Sequence, residues 1–173
     1  MKLKTEAGIL GDGRWWVFCL AILALKFILL AIDPSPRFFM GDSGSYLWTA
    51  LTGWIPPDRS FLYGYVIRWS SVWTQSLTSL VILQVFLGAM TALLVAAICR
   101  CVFQLRFSLC CLFGLLCALD PLQLLWERYV MTETISLFFY AAVLLVSFFY
   151  LKERRIWQLA IIQVLSVLVI SFR

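Results

Sequence analysis

Two short polar segments carry the side chains with the most chemical capacity. The first is Gly41-Asp42-Ser43-Gly44-Ser45-Tyr46, and the second is Glu127-Arg128-Tyr129-Val130-Met131-Thr132-Glu133-Thr134. Histidine is absent from the 173 residues, which removes the commonest general base and the commonest metal ligand. Acid–base work therefore falls to carboxylates, tyrosines or lysines. Within the two segments the carboxylates are Asp42, Glu127 and Glu133; Arg128 lies beside them, and Arg59 lies between the segments in sequence.

The six cysteines, Cys19, Cys99, Cys101, Cys110, Cys111 and Cys117, fall in apolar runs or at their edges. That is a poor disulfide framework. Cys99-x-Cys101 lacks a second ligand pair at zinc spacing, so the cysteines read as small apolar packing residues.

The elements that must position these groups follow from composition. Hydrophobic residues make up 63% of the chain and charged residues 13%, against about a quarter charged in soluble domains. One globular core cannot bury that much apolar surface, so the bilayer must serve as part of the solvent. The chain reads as an all-α membrane protein, a single transmembrane domain over 1–173. About five spans are expected, at 15–32, 77–98, 107–126, 134–151 and 156–172. The first ends in Ile32-Asp33-Pro34-Ser35-Pro36 without a small-residue cleavage pattern, so it is read as a retained anchor. Asp120-Pro121 interrupts the third, which is long enough to span only if 121–126 continues it past a kink.

Lysine and arginine placement sets the orientation. With the N-terminus cytoplasmic, Lys2, Lys4, Arg14, Arg100, Arg106, Lys152, Arg154 and Arg155 fall inside. Arg37, Arg59, Arg68, Arg128 and Arg173 fall outside, together with Asp33, Asp42, Asp58, Asp120, Glu127 and Glu133; only Glu6, Asp12 and Glu153 are internal acids. The net charge of +5 is scattered over helix ends, which argues against nucleic acid as a partner. Lys26 sits within the first span, where a central lysine costs roughly 2.5–3.5 kcal/mol. Snorkelling to the outer interface is the simpler reading; a partner inside the bundle is the alternative.

The external loop, 33–76, is expected to hold two amphipathic juxtamembrane helices. Asp42-Ser43 offers an N-cap to a helix running to Gly53. Tyr46, Leu47, Ala50, Leu51 and Trp54 would form its apolar stripe. Pro56-Pro57-Asp58 then breaks the chain, and Asp58 would cap a second helix through Trp69. Aromatics beside Arg59 and Arg68 suit a helix lying in the headgroup plane.

The order of these features resembles a family. An outer Asp-Ser motif before Tyr46 is followed by Pro56-Pro57-Asp58-Arg59-Ser60-Phe61-Leu62-Tyr63 and then by Gln84 in the second span. Leu119-Asp120-Pro121, Glu127 and Met131-Thr132-Glu133-Thr134 come after it. Together they resemble the N-terminal half of the GT-C class of membrane glycosyltransferases. The nearest in pattern are the bacterial protein O-mannosyltransferase and aminoarabinose-transferase types, which draw sugars from polyprenyl-phosphate carriers. The resemblance covers the chain from about Trp15 onward.

It implies sugar transfer to an acceptor at the outer face of a bacterial inner (plasma) membrane. A carboxylate would bind, orient or deprotonate the acceptor, the sugar carbon would pass through an oxocarbenium-like state, and cations would stabilise the departing lipid phosphate. Asp42 takes the place of the family's first-loop acid. Glu133, and after it Glu127, match the second acidic position. Arg59 and Arg128 are candidates for the phosphate, and Tyr46 and Tyr63 for substrate contact. Relatives that carry an Asp-Glu pair here contrast with Asp42-Ser43, so a divalent metal is left open.

Each assignment has a plainer counterpart. Asp42 would cap a helix, and Glu133 would sit at a helix N-terminus. Glu127 with Arg128 would be a solvated interfacial pair, Arg59 a headgroup anchor, Asp120 a helix terminator, and the tyrosines belt residues. Members of the class have around a dozen spans and a C-terminal domain. The 173 residues are thus expected to be either a fragment or truncated reading frame, or a small protein sharing the family's front half. They are expected to be inactive alone, with a partner chain as one source of the later spans. The competing readings are a non-catalytic membrane subunit that binds lipid or a partner transferase and, ranked last, a transporter fragment.

Overall fold

A computed structural model describes residues 13–57 and 59–172. Lys2, Lys4, Glu6, Asp12, Asp58 and Arg173, used above for topology or capping, lie outside the described residues.

The described chain is all-helical. Its elements are α1 (Gly13–Ile32), α2 (Asp42–Thr52), α3 (Phe61–Ile67), α4 (Thr78–Cys101), α5 (Phe107–Ala118), α6 (Pro121–Trp126), α7 (Glu133–Glu153) and α8 (Ile156–Ser171). A π-helical turn over Arg68–Val72 extends α3. Three helices, α1, α4 and α7, are long and apolar enough to cross a membrane.

α4 is the central helix and packs against α1, α5 and α7. Its buried side includes Gly88, Ala89, Ala92 and Ala96. Such small residues let neighbouring helices approach closely, the usual device where lipid supplies no hydrophobic drive between helices. Ile22 of α1 and Ala118 of α5 meet this small-residue stripe. Near the start of α1, Trp15 and Phe18 pack edgewise on Phe107 of α5, with ring centroids 6.3 and 6.5 Å apart.

The proline break is real. α5 has 12 residues, about 18 Å of rise, well short of the roughly 30 Å hydrocarbon layer. Asp120 accepts a hydrogen bond from Gln123 N, and Pro121 occupies the first helical turn of α6, where a missing N–H costs nothing.

Between α1 and α4 lie two short helices, α2 and α3, which differ in detail from those expected. α2 buries Ser43, Tyr46, Thr49 and Ala50, while Leu51 and Trp54 are exposed. Its inner face is therefore rotated from the stripe expected through Leu51 and Trp54, because hydroxyls as well as apolar groups find partners inside. α2 ends at Gly53, whose φ of +75° is the left-handed value that lets its N–H bond Thr49 O. α3 is capped by Ser60, whose hydroxyl accepts from Tyr63 N and donates to Ser171 O at 2.5 Å, tying the start of α3 to the end of α8. Tyr46, Tyr63, Ile67, Leu80, Val130, Ile135 and Phe172 form one apolar cluster that joins α2 and α3 to the long helices.

Candidate functional site

The segment between α6 and α7 is held from three sides. Arg37 N donates to Arg128 O at 2.7 Å and Val130 N donates to Arg37 O at 2.9 Å, giving a single parallel bridge between Arg37 and Tyr129. Ser43 of α2 donates to Val130 O at 3.0 Å. Gln84 of α4, fully buried, donates to Tyr129 O at 3.0 Å and Met131 O at 3.1 Å, and also contacts the Tyr63 hydroxyl at 3.2 Å. These bonds satisfy backbone groups that no helix serves, and they fix the approach to Glu133 at the start of α7.

Tyr46 is the meeting point of the two polar segments. Its ring packs edgewise on Tyr63, with centroids 4.9 Å apart, and its phenol hydrogen-bonds Thr132 and feels the charges of Asp42, Glu133 and Arg59. The charges of Asp42 and Glu133 also act on one another. Asp42 and Arg59 form an ion pair at 2.7 Å, with side chains 21% and 35% exposed. One oxygen of Glu133 is buried and makes no hydrogen bond among the described residues. Asp42 is thus paired with Arg59, Tyr46 packs on Tyr63, and the charge of Glu133 acts on both Asp42 and Tyr46.

Burial dominates the tyrosines. It raises the Tyr46 phenol above its ordinary value; the Thr132 hydrogen bond opposes this, Asp42 and Glu133 add to it, and Arg59 opposes it. Tyr63 is pushed well above its ordinary value, by burial first and then by Glu133 and Tyr46, against hydrogen bonds from the Met131 backbone and Gln84. Both phenols hold their protons at neutral pH and can serve as donors.

Asp42 is not a helix cap. Gly41 occupies the cap position of α2 and no side chain bonds there, because the Asp42 carboxylate is turned to Arg59. Glu133 lies in the first turn of α7, where the helix dipole favours a negative charge.

Glu127 and Arg128 are not a solvated pair. Glu127 is wholly buried and Arg128 is 6% exposed. Arg128 donates to Asp33 O at 2.7 Å and Leu29 O at 3.2 Å, closing the C-terminal end of α1, while its Nη1 is buried without a hydrogen bond among the described residues. Lys26 does not snorkel. It is fully buried, and its ammonium donates to Glu127 Oε1 at 2.5 Å. Gln123 completes this group, donating to Gly88 O at 3.0 Å and reaching Glu127 Oε1 at 3.5 Å. Sequence reasoning placed Lys26 and Glu127 in separate roles. The available signal was a lysine in a span and a glutamate after a broken one, each in need of a countercharge.

Among the described residues, no group of three or more Cys, Asp or Glu side chains is placed to hold a metal ion, and the Asp42 carboxylate is engaged by the Arg59 guanidinium. A separate apolar cavity of about 460 Å³ lies between α1 and α5, lined by Phe18, Ile22, Leu25, Cys111 and Leu115 among others; it is remote in sequence from the charged cluster.

The fold and site define a class, an all-helical protein with three helices long and apolar enough to cross a membrane and an Asp42–Arg59 ion pair beside two short helices. The chain matches no protein-family model, no curated protein and no solved structure.

Proposed function

We propose that the chain is a GT-C type glycosyltransferase, or the front part of one, that handles a polyprenyl-phosphate-linked sugar at the outer face of a bacterial plasma membrane. In this reading it crosses the membrane five times with its N-terminus cytoplasmic, and α2 and α3 lie along the outer surface. The observation that supports the reading is the Asp42–Arg59 ion pair together with the mutual action of the Asp42 and Glu133 charges, felt also by Tyr46, since these carboxylates and the guanidinium come from separate segments.

The division of labour follows from charge. Asp42 binds and orients the acceptor hydroxyl and takes its proton. Glu133, with a buried oxygen that makes no hydrogen bond among the described residues, stabilises positive charge developing on the sugar carbon. Arg59 pairs with Asp42 in the resting state and turns to the departing lipid phosphate. Arg128, with two of its three guanidinium nitrogens donating to backbone carbonyls, is a weaker phosphate candidate than Arg59. Tyr63 supports the Tyr46 ring from beneath, so substrate contact falls to Tyr46.

One observation favours the non-catalytic subunit instead. α2, the segment just after it and the π-helical turn expose Trp48, Trp54 and Trp69, at 57%, 49% and 74%, a surface suited to lipid or another membrane protein. Asp42→Asn separates the two. In membranes supplied with a labelled polyprenyl-phosphate sugar, the transferase loses transfer while inserting normally. Unchanged transfer would leave the subunit.

A further inference from the structure

We infer that Lys26 and Glu127 are positioning residues: their ion pair inside the bundle sets the register of residues 127–133, and through it the place of Glu133 beside Asp42. The functional meaning rests on the transferase reading; the mechanical claim rests on geometry alone.

The two side chains are 101 residues apart in sequence, both wholly buried, and joined by one hydrogen bond. Glu127 is seated tightly. A Cβ on Gly88 would collide with its Oε1, so the carboxylate reaches Lys26 only because α4 carries no side chain at that point. Gln123, one turn earlier, bonds the Gly88 carbonyl and fixes the same stretch against α4.

From this anchor the chain has six residues to reach Glu133. Arg128 is tied to the end of α1, Val130 to Arg37 and Ser43, and Thr132 to Tyr46. The Val130 and Thr132 bonds use backbone groups or short hydroxyls, which a shifted segment could exchange for its neighbour's, while the Arg128 guanidinium and the Gln84 amide add side-chain anchors on either side. The Lys26–Glu127 bond has no such substitute, because Glu127 is the only buried acid among the described residues.

Stability alone does not call for such a pair. Well-packed apolar residues in place of a buried ion pair often keep or raise stability, whereas a buried polar contact can specify one register over others. The pair is thus expected to govern where the segment lies more than whether the protein folds.

The test uses the full chain in lipid nanodiscs and the double variant Lys26→Met/Glu127→Met, which removes both charges together and so leaves neither stranded. The thermal midpoint is expected to stay near that of the wild type, while amide exchange across 128–133 accelerates roughly ten-fold as local opening becomes easier. Retention of undecaprenyl phosphate is expected to fall in parallel. The reversed pair, Lys26→Glu/Glu127→Lys, is expected to restore part of the protection. Wild-type exchange at 128–133 in the double variant would overturn the inference. Should the wild-type protein itself fail to retain undecaprenyl phosphate, the transferase reading fails, and the exchange measurement still decides the positioning claim.

Discussion

The Lys26 ammonium and the Glu127 carboxylate meet inside the helical bundle, with neither side chain exposed. A single-partner deletion leaves an uncompensated buried charge, so Lys26→Met and Glu127→Leu should each destabilise the protein by about 3–5 kcal/mol. Thermal unfolding in detergent, followed by circular dichroism, measures this. Equal stability of the single variants and the wild type would show that the pair is solvated.

Gly88 carries a related expectation. The methyl of Gly88→Ala enters the space of the Glu127 carboxylate, so the side chain must withdraw from Lys26 or the helices must part. A loss of about 1–3 kcal/mol is expected, the usual range for overpacking. Ala89→Gly, on the same helix, would create space instead and offers a contrast.

Much of this fold was legible in the sequence, for physical reasons that differ between elements. α1, α4 and α7 were readable because long apolar runs have few alternatives in lipid. The break at Asp120-Pro121 was readable because proline removes a donor and constrains the residue before it. The inner face of α2 was not, since Ser43 and Thr49 are polar by type yet buried through bonds to backbone carbonyls. Nor was the Lys26–Glu127 pair, because a contact across 101 residues leaves no periodic trace. In the candidate site, Asp42 and Glu133 were legible as acids flanking spans, and Arg59 as a nearby cation. Gln84 was noticed as a polar residue in a span, but its work of holding Tyr129 and Met131 was not, since backbone acceptors carry no sequence signature.

Gln84→Leu should therefore be costly beyond its volume. It removes the donor shared by Tyr129 O, Met131 O and the Tyr63 hydroxyl and strands buried acceptors. A loss of about 1–3 kcal/mol is expected, read as a lowered denaturation midpoint. Gln84→Glu, which keeps the shape but loses the donor, should be no better.

The phenols set an alkaline limit. Tyr46 and Tyr63 have folded values above the ordinary 10.0, chiefly through burial. Protons are therefore lost more readily by the unfolded chain. Their contribution is intact below pH 10 and is lost as pH rises through the elevated folded values. Stability measured from pH 9 upward should fall with pH, and Tyr63→Phe should flatten that slope. A slope unchanged in Tyr63→Phe would show that this phenol titrates normally.

The Asp42–Arg59 pair separates stability from function. Both side chains are partly exposed, and such pairs contribute at most about 1 kcal/mol. Asp42→Asn and Arg59→Gln should unfold within about that margin of the wild type, so any loss of ligand handling reports on the site itself.

The most direct measurement is competitive lipid retention by the purified chain, read by native mass spectrometry with undecaprenyl phosphate against phosphatidylglycerol. The wild type should prefer undecaprenyl phosphate at least about ten-fold, equivalent to about 1.4 kcal/mol, and Arg59→Gln should lose that preference. Equal retention of the two lipids by the wild type would contradict a polyprenyl-phosphate site at Asp42, Arg59 and Glu133.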